Sequence, residues 1–175
     1  MKKLKNEELN RLTEEEFKAA DKQKVVLILD DVRSLNNVGA AFRTSDAFLI
    51  EKIYLCGITG TPPHREINKT ALGATETVAW EHAENVLELV KKLNEDGFEI
   101  WPVEQAENST MLNDLDVNKE KKLAFVFGNE VMGVNQEVID FCKKCLEIPQ
   151  IGSKHSFNIA VSIGIVLWEV MRKRF

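Results

Sequence analysis

The sequence predicts an α/β domain with a mainly parallel sheet and helices on both faces. Uninterrupted aliphatic runs, VVLILDD (25–31) and LAFVFG (123–128), read as strands covered on both sides. Segments of helical period alternate with such strands along the chain, the pattern that winds a parallel sheet. The last segment, from Phe157 onward, is apolar on nearly every helical side and must be covered all round.

The elements follow in order. Residues 6–22 place Leu9, Leu12 and Phe17 among Glu and Lys, which predicts a peripheral amphipathic helix ahead of a single domain over 23–175. VVLILDD is the first strand, and Asn36 or Asn37 is placed to cap a helix running to Phe48. KIYLCG (52–57) is the second strand. Residues 58–71 combine a Gly/Pro loop with a short polar helix, and 86–93 is helical. EIWPVEQ (99–105) and LAFVFG are further strands. A helix over 135–143, a strand CLEIP (145–149) and the long terminal helix, with Ser156 at its cap and Asn158 in its first turn, complete the chain.

With 175 residues, 44% hydrophobic and 29% charged, the chain suits one ordinary globular domain rather than a disordered or fibrous one. Phe157–Trp168 falls short of the roughly 18 apolar residues of a membrane span. MKKLKNEELN lacks the apolar stretch of a signal peptide, so a cytoplasmic location is expected. The net charge of −5 does not describe a protein that coats nucleic acid, although Arg33, Arg43, Arg65 and Lys154 leave room for one positive face. Cys56, Cys142 and Cys145 are an odd set of expected reduced thiols. The Cys142–Cys145 pair ends a helix instead of starting one, which argues for structural thiols, and a zinc site would need a second pair, so no metal is expected.

Three loops at strand ends hold the candidate chemistry. LNNVGAAFRTSD (35–46) puts Gly39 and Arg43 on one helix face, where a planar guanidinium suits a phosphate; the bland reading is a capped helix with a solvated Arg. FGNEVMGV (127–134) displays Glu130 just past a strand end, and by itself is a common turn. EIPQIGSKHSFNIAVSIGIVLWE (147–169) runs from a strand through a Gly-bearing loop into the last helix, and sets Ser156 and Asn158 beside unpaired helix N–H groups. His155, with no acid partner in view, reads as a loop or RNA-contacting side chain.

NNVGAAFRT, FVFGNEVMGV and EIPQIGSKHSFNIAVSIGIVLWE, in that order, resemble the three motifs of the SpoU (TrmH) family of S-adenosylmethionine-dependent RNA ribose 2′-O-methyltransferases. The likeness covers about Val25 to Arg172. It implies a trefoil knot at the C-terminal end, a homodimer through the terminal helix, and RNA (tRNA or rRNA) as substrate. VEQAENS (103–109) leans the reading slightly toward tRNA. Carried over residue by residue, the resemblance implies a site of Arg43, Asn37, Glu130, Ser156 and Asn158. It implies S-adenosylmethionine contacts from Glu104, Gln105, Ala106, Gly128, Asn129, Ile148, Gln150, Ser156 and Phe157, and RNA contacts from Arg33, Arg43, Arg65, Lys154 and His155. Gln150, Phe157, Ile159 and Ala160 depart from the usual residues without removing a reactive group. By the resemblance, residues 1–22 are expected to stand where many relatives carry an N-terminal RNA-binding domain. Arg43 is expected to clamp a phosphate, with Asn37 orienting it. The competing classes are a non-catalytic RNA- or nucleotide-binding module on the same fold and, more weakly, a hydrolase or redox protein using Cys142.

Overall fold

A computed structural model describes residues 1–175, the side chain of Asn6 excepted. The expected helix over 6–22 is broken. A 3-10 turn at Asn6–Leu9 stops at Asn10, whose backbone is left-handed, and α1 (Glu14–Ala19) starts afresh from Thr13. Thr13 is an N-cap of its own: its hydroxyl accepts from the Glu16 N–H at 3.2 Å and the Glu16 carboxylate accepts from the Thr13 N–H at 2.8 Å. Phe17, buried against the main core, ties α1 to the rest.

Strand β1 (Gln23–Asp30) leads to α2 (Leu35–Ala47) and β2 (Ile50–Cys56). Short helices α3 (Arg65–Ala71) and α4 (Ala74–Thr77), strand β3 (Trp80–Ala83), helix α5 (Val86–Glu95) and β4 (Phe98–Pro102) follow. Then come β5 (Thr110–Met111), β6 (Lys122–Phe127), α6 (Gln136–Cys142), β7 (Leu146–Glu147) and α7 (Ile159–Arg174). Five strands form a parallel sheet in the order β3-β2-β1-β6-β4, as the alternation of elements predicts.

The two central strands divide their side chains between two cores. Val25, Leu27 and Leu29 of β1, with Leu123, Phe125 and Phe127 of β6, face Phe42 of α2 and Ile163 and Val166 of α7. Val26, Ile28, Ala124 and Val126 face Val90 and Leu93 of α5 and Val138 of α6. Slipping β6 by one residue would exchange its faces and set Phe125 and Phe127 against α5 and α6 in place of Ala124 and Val126, so the difference in side-chain size between the two faces fixes its register. Helices thus cover both faces, as expected.

Two caps differ from expectation. Ser34, not Asn36 or Asn37, caps α2, its Oγ accepting from the Asn37 N–H at 3.3 Å. Asn158, not Ser156, caps α7, accepting from the Ala160 N–H at 2.9 Å. The strand CLEIP is reduced to two residues that pair with β5 outside the main sheet, because Pro149 offers no N–H to extend the ladder. A single bridge from Leu146 to Val103 still ties β7 to the chain leaving β4.

Gly39 also has a different role from the one its spacing suggests. A Cβ there would lie 2.3 Å from the Ile67 carbonyl oxygen, so Gly39 lets α2 pack on α3 rather than freeing space for a ligand. Helix α7 is covered on one side only: Ile159, Ile163, Val166 and Val170 are buried, while Val161 and Trp168 are 49% and 56% exposed. Among the described residues no helix is long and apolar enough to cross a membrane.

Candidate functional site

The C-terminal ends of β1, β6 and β4 are adjacent, and the loops leaving them meet the loop that enters α7. Between the loops leaving β4 and β6 and the loop entering α7 lies a cavity of about 450 Å³, within the range of small-molecule sites. This is where ligands bind in open parallel sheets.

The loop after β6 is held by its own backbone. Asn129 and Gly133 exchange two N–H···O bonds of 3.0 and 2.9 Å, and the Asn129 Oδ1 accepts from the Val131 and Met132 N–H groups. The Asn129 Nδ2 donates to the Asp31 carbonyl at 2.8 Å, fixing this loop to the end of β1. A Cβ on Gly128 would sit 2.1 Å from the Gly133 backbone, so the close turn requires glycine. From the other side, the Glu104 carboxylate accepts from the Val134 N–H at 3.1 Å and from the Gln105 N–H at 2.9 Å. The loop therefore has little freedom in the walls it presents.

Glu130 is a clamp. Its two carboxylate oxygens accept from the backbone N–H groups of Arg33 and Ser34, at 3.0 and 3.1 Å, and from the Asn37 Nδ2 at 3.2 Å. Burial acts to raise its carboxyl, but these N–H donors outweigh it and hold the group below the usual carboxylate range. Glu130 is thus an ionised acceptor at the start of α2, where the helix dipole also favours negative charge. It is poorly suited to proton transfer.

Asn37 continues the chain of bonds. Its Oδ1 accepts from the Asn158 Nδ2 at 3.2 Å, and the Asn158 Oδ1 accepts from the Ala160 N–H. Each amide has one end set by a partner of fixed polarity, a carboxylate at one extreme and a backbone N–H at the other. The orientation of both side chains follows. The starts of α2 and α7 and the loop after β6 are joined by one continuous set of hydrogen bonds.

The structure brings together Glu104, Gln105, Gly128, Asn129, Glu130, Ile148, Gln150, Ser156, Phe157 and Asn158 around the cavity. Ala106 lies outside its lining. Asn37 stands behind the wall, bonded to two residues of it, so its amide is committed to Glu130 and Asn158 rather than to Arg43. Arg43 is exposed on α2 and has no side-chain hydrogen bond or ion pair among the described residues. Arg33, Arg65, Lys154 and His155 are exposed outside the cavity, and the His155 carbonyl accepts from the Gln105 Nε2 at 2.7 Å. That bond joins the loop after β4 to the loop entering α7.

Gly133 and Ser162 also line the cavity and escaped the sequence reading. Ser162 had a usable signal, a polar residue four positions after Asn158 and hence on the same helix face. Gly133 has φ +71°, and its missing Cβ leaves room for the Glu104 carboxylate. The thiols take no part. Burial, with the charges of Asp30 and Asp31, pushes Cys56 up to about 12, and burial pushes Cys142 up to about 11, so neither is a nucleophile near neutrality.

A parallel sheet whose strand-end loops close one polar cavity defines a ligand-binding α/β domain, with the chemistry borne by the loops. The family is narrower: residues 24–168 match the SpoU rRNA Methylase family, and the chain belongs to it. It is 30% identical over 170 residues to the 23S rRNA (guanosine-2′-O-)-methyltransferase RlmB of Vibrio cholerae, an alignment covering 95% of this chain and 66% of that one. The A. aeolicus TrmH/SpoU tRNA modifying enzyme superposes with a TM-score of 0.78 at 26% identity, over 87% of this chain and 76% of that one. An AdoMet-bound rRNA methyltransferase from Sinorhizobium meliloti shares the fold, with a TM-score of 0.80 at 24% identity over 90% and 60% of the two chains. The chain spans between 59% and 66% of the length of the curated relatives it matches.

Proposed function

We propose that the chain is an S-adenosylmethionine-dependent methyltransferase acting on a ribose 2′-hydroxyl of structured RNA, tRNA before rRNA. The observation that supports this most directly is that the second and third motif loops line one cavity, with the first motif tied to its rim through Glu130, Asn37 and Asn158 bonded in series. The residues present fit the cofactor: the cavity has the size of a small-molecule site, is walled by loops anchored by backbone bonds, and carries carboxylates toward a cationic ligand.

When bound, S-adenosylmethionine supplies a sulfonium methyl group for in-line displacement by the 2′ oxygen. The protein's main task is alignment. Gly128, Ile148 and Phe157 form the cofactor's walls, and Asn158 and Ser156 edge the cavity where a nucleotide would enter. Arg43 stands free to take an RNA phosphate. A guanidinium with a pKa above about 12 is a poor base in ordinary surroundings, so its role is to hold the phosphate and lower the pKa of the neighbouring hydroxyl, with that phosphate or a desolvated Arg43 taking the proton. Arg33, Arg65, Lys154 and His155 are the remaining RNA contacts in this reading. The working form is a homodimer with a knotted C-terminal segment, its interface on the exposed side of α7, and its location is cytoplasmic.

Transfer of tritiated methyl from S-adenosylmethionine to bulk tRNA and rRNA tests this, followed by mass spectrometry of the nucleosides. The expected product is a 2′-O-methyl nucleoside. Binding of RNA with no transfer to either pool would favour a non-catalytic module instead.

A further inference from the structure

The cavity is lined by two carboxylates, Glu104 and Glu130, and by no Lys, Arg or His among the described residues. The two acids are placed differently. Glu130 faces the start of α2 and meets three N–H donors there, including two successive backbone groups, so its charge is largely answered by the protein. Glu104 meets two backbone N–H groups, one on each oxygen, which hold the carboxylate against the Gly133 turn without supplying a counter-charge. No cation reaches it among the described residues. Gly133 makes the placement possible, since a Cβ there would lie 2.3 Å from the Glu104 Oε2.

Resting on the methyltransferase reading above, the geometry points to Glu104 as the residue that makes this cavity discriminate cofactor from product by charge. A sulfonium carries a positive charge that the thioether left after methyl transfer lacks. A fixed carboxylate in the cavity wall therefore attracts the methyl donor more than the demethylated product. The other members of the ligand, adenosine and the amino-acid end, are the same in both and feel no difference. Discrimination of this kind limits product inhibition, because transfer itself removes the charge that held the ligand.

Calorimetric titration of the full chain with three probes tests the inference: S-adenosylmethionine, S-adenosylhomocysteine, and sinefungin, in which an amine replaces the sulfonium. Glu104→Gln is expected to weaken the two cationic probes on the order of tenfold, the scale of one partly screened unit-charge interaction. S-adenosylhomocysteine should change less than about twofold on the same argument. Glu104→Asp keeps the charge, so it should retain the wild-type ratio between probes even where overall affinity falls with the altered turn. Raising the salt concentration should narrow the ratio in the wild type and leave it flat in Glu104→Gln. Equal weakening of all three probes by Glu104→Gln would reduce Glu104 to a structural brace and overturn the inference. Wild-type protein that binds none of the three would instead overturn the cofactor reading itself.

Discussion

The side-chain amide of Asn158 donates to that of Asn37 across 3.2 Å, although 121 residues separate them. The bond joins the cap of α7 to the first turn of α2, and both helices pack on the same face of the sheet. Asn158 is the N-cap of α7, and the Asn37 N–H is the group that the α2 cap Ser34 receives. Glu130 closes the set from the loop after β6. The geometry of the cavity rim is thus coupled to helix starts that the core holds in place.

Two substitutions of Asn158 separate capping from coupling. Asn158→Ala loses both the cap and the bond to Asn37, and is expected to cost about 1–2 kcal/mol of stability by urea unfolding. Asn158→Asp keeps an acceptor for the Ala160 N–H but turns a carboxylate oxygen toward the Asn37 Oδ1. Asn37 can answer only by flipping, which sets its own oxygen against Glu130. Near wild-type stability with at least tenfold slower methyl transfer is the expected result, and full activity in Asn158→Asp would separate the coupling from function.

The strands and their cores were legible because both faces of β1 and β6 are buried, which leaves aliphatic runs that no other element explains. The edge strand β3 was not. Trp80–Ala83 is largely exposed and has no apolar run to announce it. Among the loops, residue types identified Glu130 and Asn158, but their partners are products of the fold, since local sequence contains no information about a bond between residues 37 and 158. Ser156 and Asn158 are both good cap residues, and only the backbone decides between them.

Two acids should give opposite pH responses. The folded-state carboxyl of Glu130 lies below its ordinary value, so its contribution is present above an unfolded pKa of about 4.3 and is lost as pH falls through the lower folded value. Burial pushes the Asp30 carboxyl up; the Asn135 N–H opposes this and the Asp31 charge adds to it, so ionised Asp30 weakens the fold at neutral pH. Urea midpoints measured from pH 7 down to about 3 should fall less steeply in Glu130→Gln than in wild type. Asp30→Asn should raise the midpoint at pH 7, and a lowered midpoint there would show that the ion is needed by its surroundings.

Gly128→Ala should close the cavity. The added methyl would meet Gly133 backbone atoms at 2.1 Å, and backbone held by the Asn129–Gly133 bonds cannot yield as a side-chain tip can. Overpacking of this sort costs about 1–3 kcal/mol. Calorimetry is expected to show loss of S-adenosylmethionine binding in a variant that still unfolds cooperatively.

The exposed side of α7 should be an interface. Val161 and Trp168 of α7 and Phe157 just before it are each more than 40% exposed, the opposite side of the helix is buried, and Pro149 extends the apolar surface beside them. Light scattering at micromolar concentration should report a dimer for the wild type. Val161→Glu with Trp168→Glu should give a folded monomer. A monomeric wild type with intact activity would contradict the dimer.

Arg43 is the residue whose role most depends on a partner outside the chain. Its guanidinium is exposed and without a side-chain partner among the described residues, in contrast to Asn37, six residues earlier on α2, whose amide is bonded to Glu130 and Asn158. A residue held ready for an RNA phosphate should be dispensable for the cofactor and necessary for the reaction. Arg43→Ala is therefore expected to bind S-adenosylmethionine like the wild type by calorimetry, keep its unfolding free energy within about 0.5 kcal/mol as an exposed position should, and lose methyl transfer by about a hundredfold or more. Arg43→Lys keeps the charge and loses the planar fork, so it should recover only part of the rate. Full recovery in Arg43→Lys would mean that charge alone suffices, and wild-type turnover in Arg43→Ala would remove Arg43 from the reaction altogether.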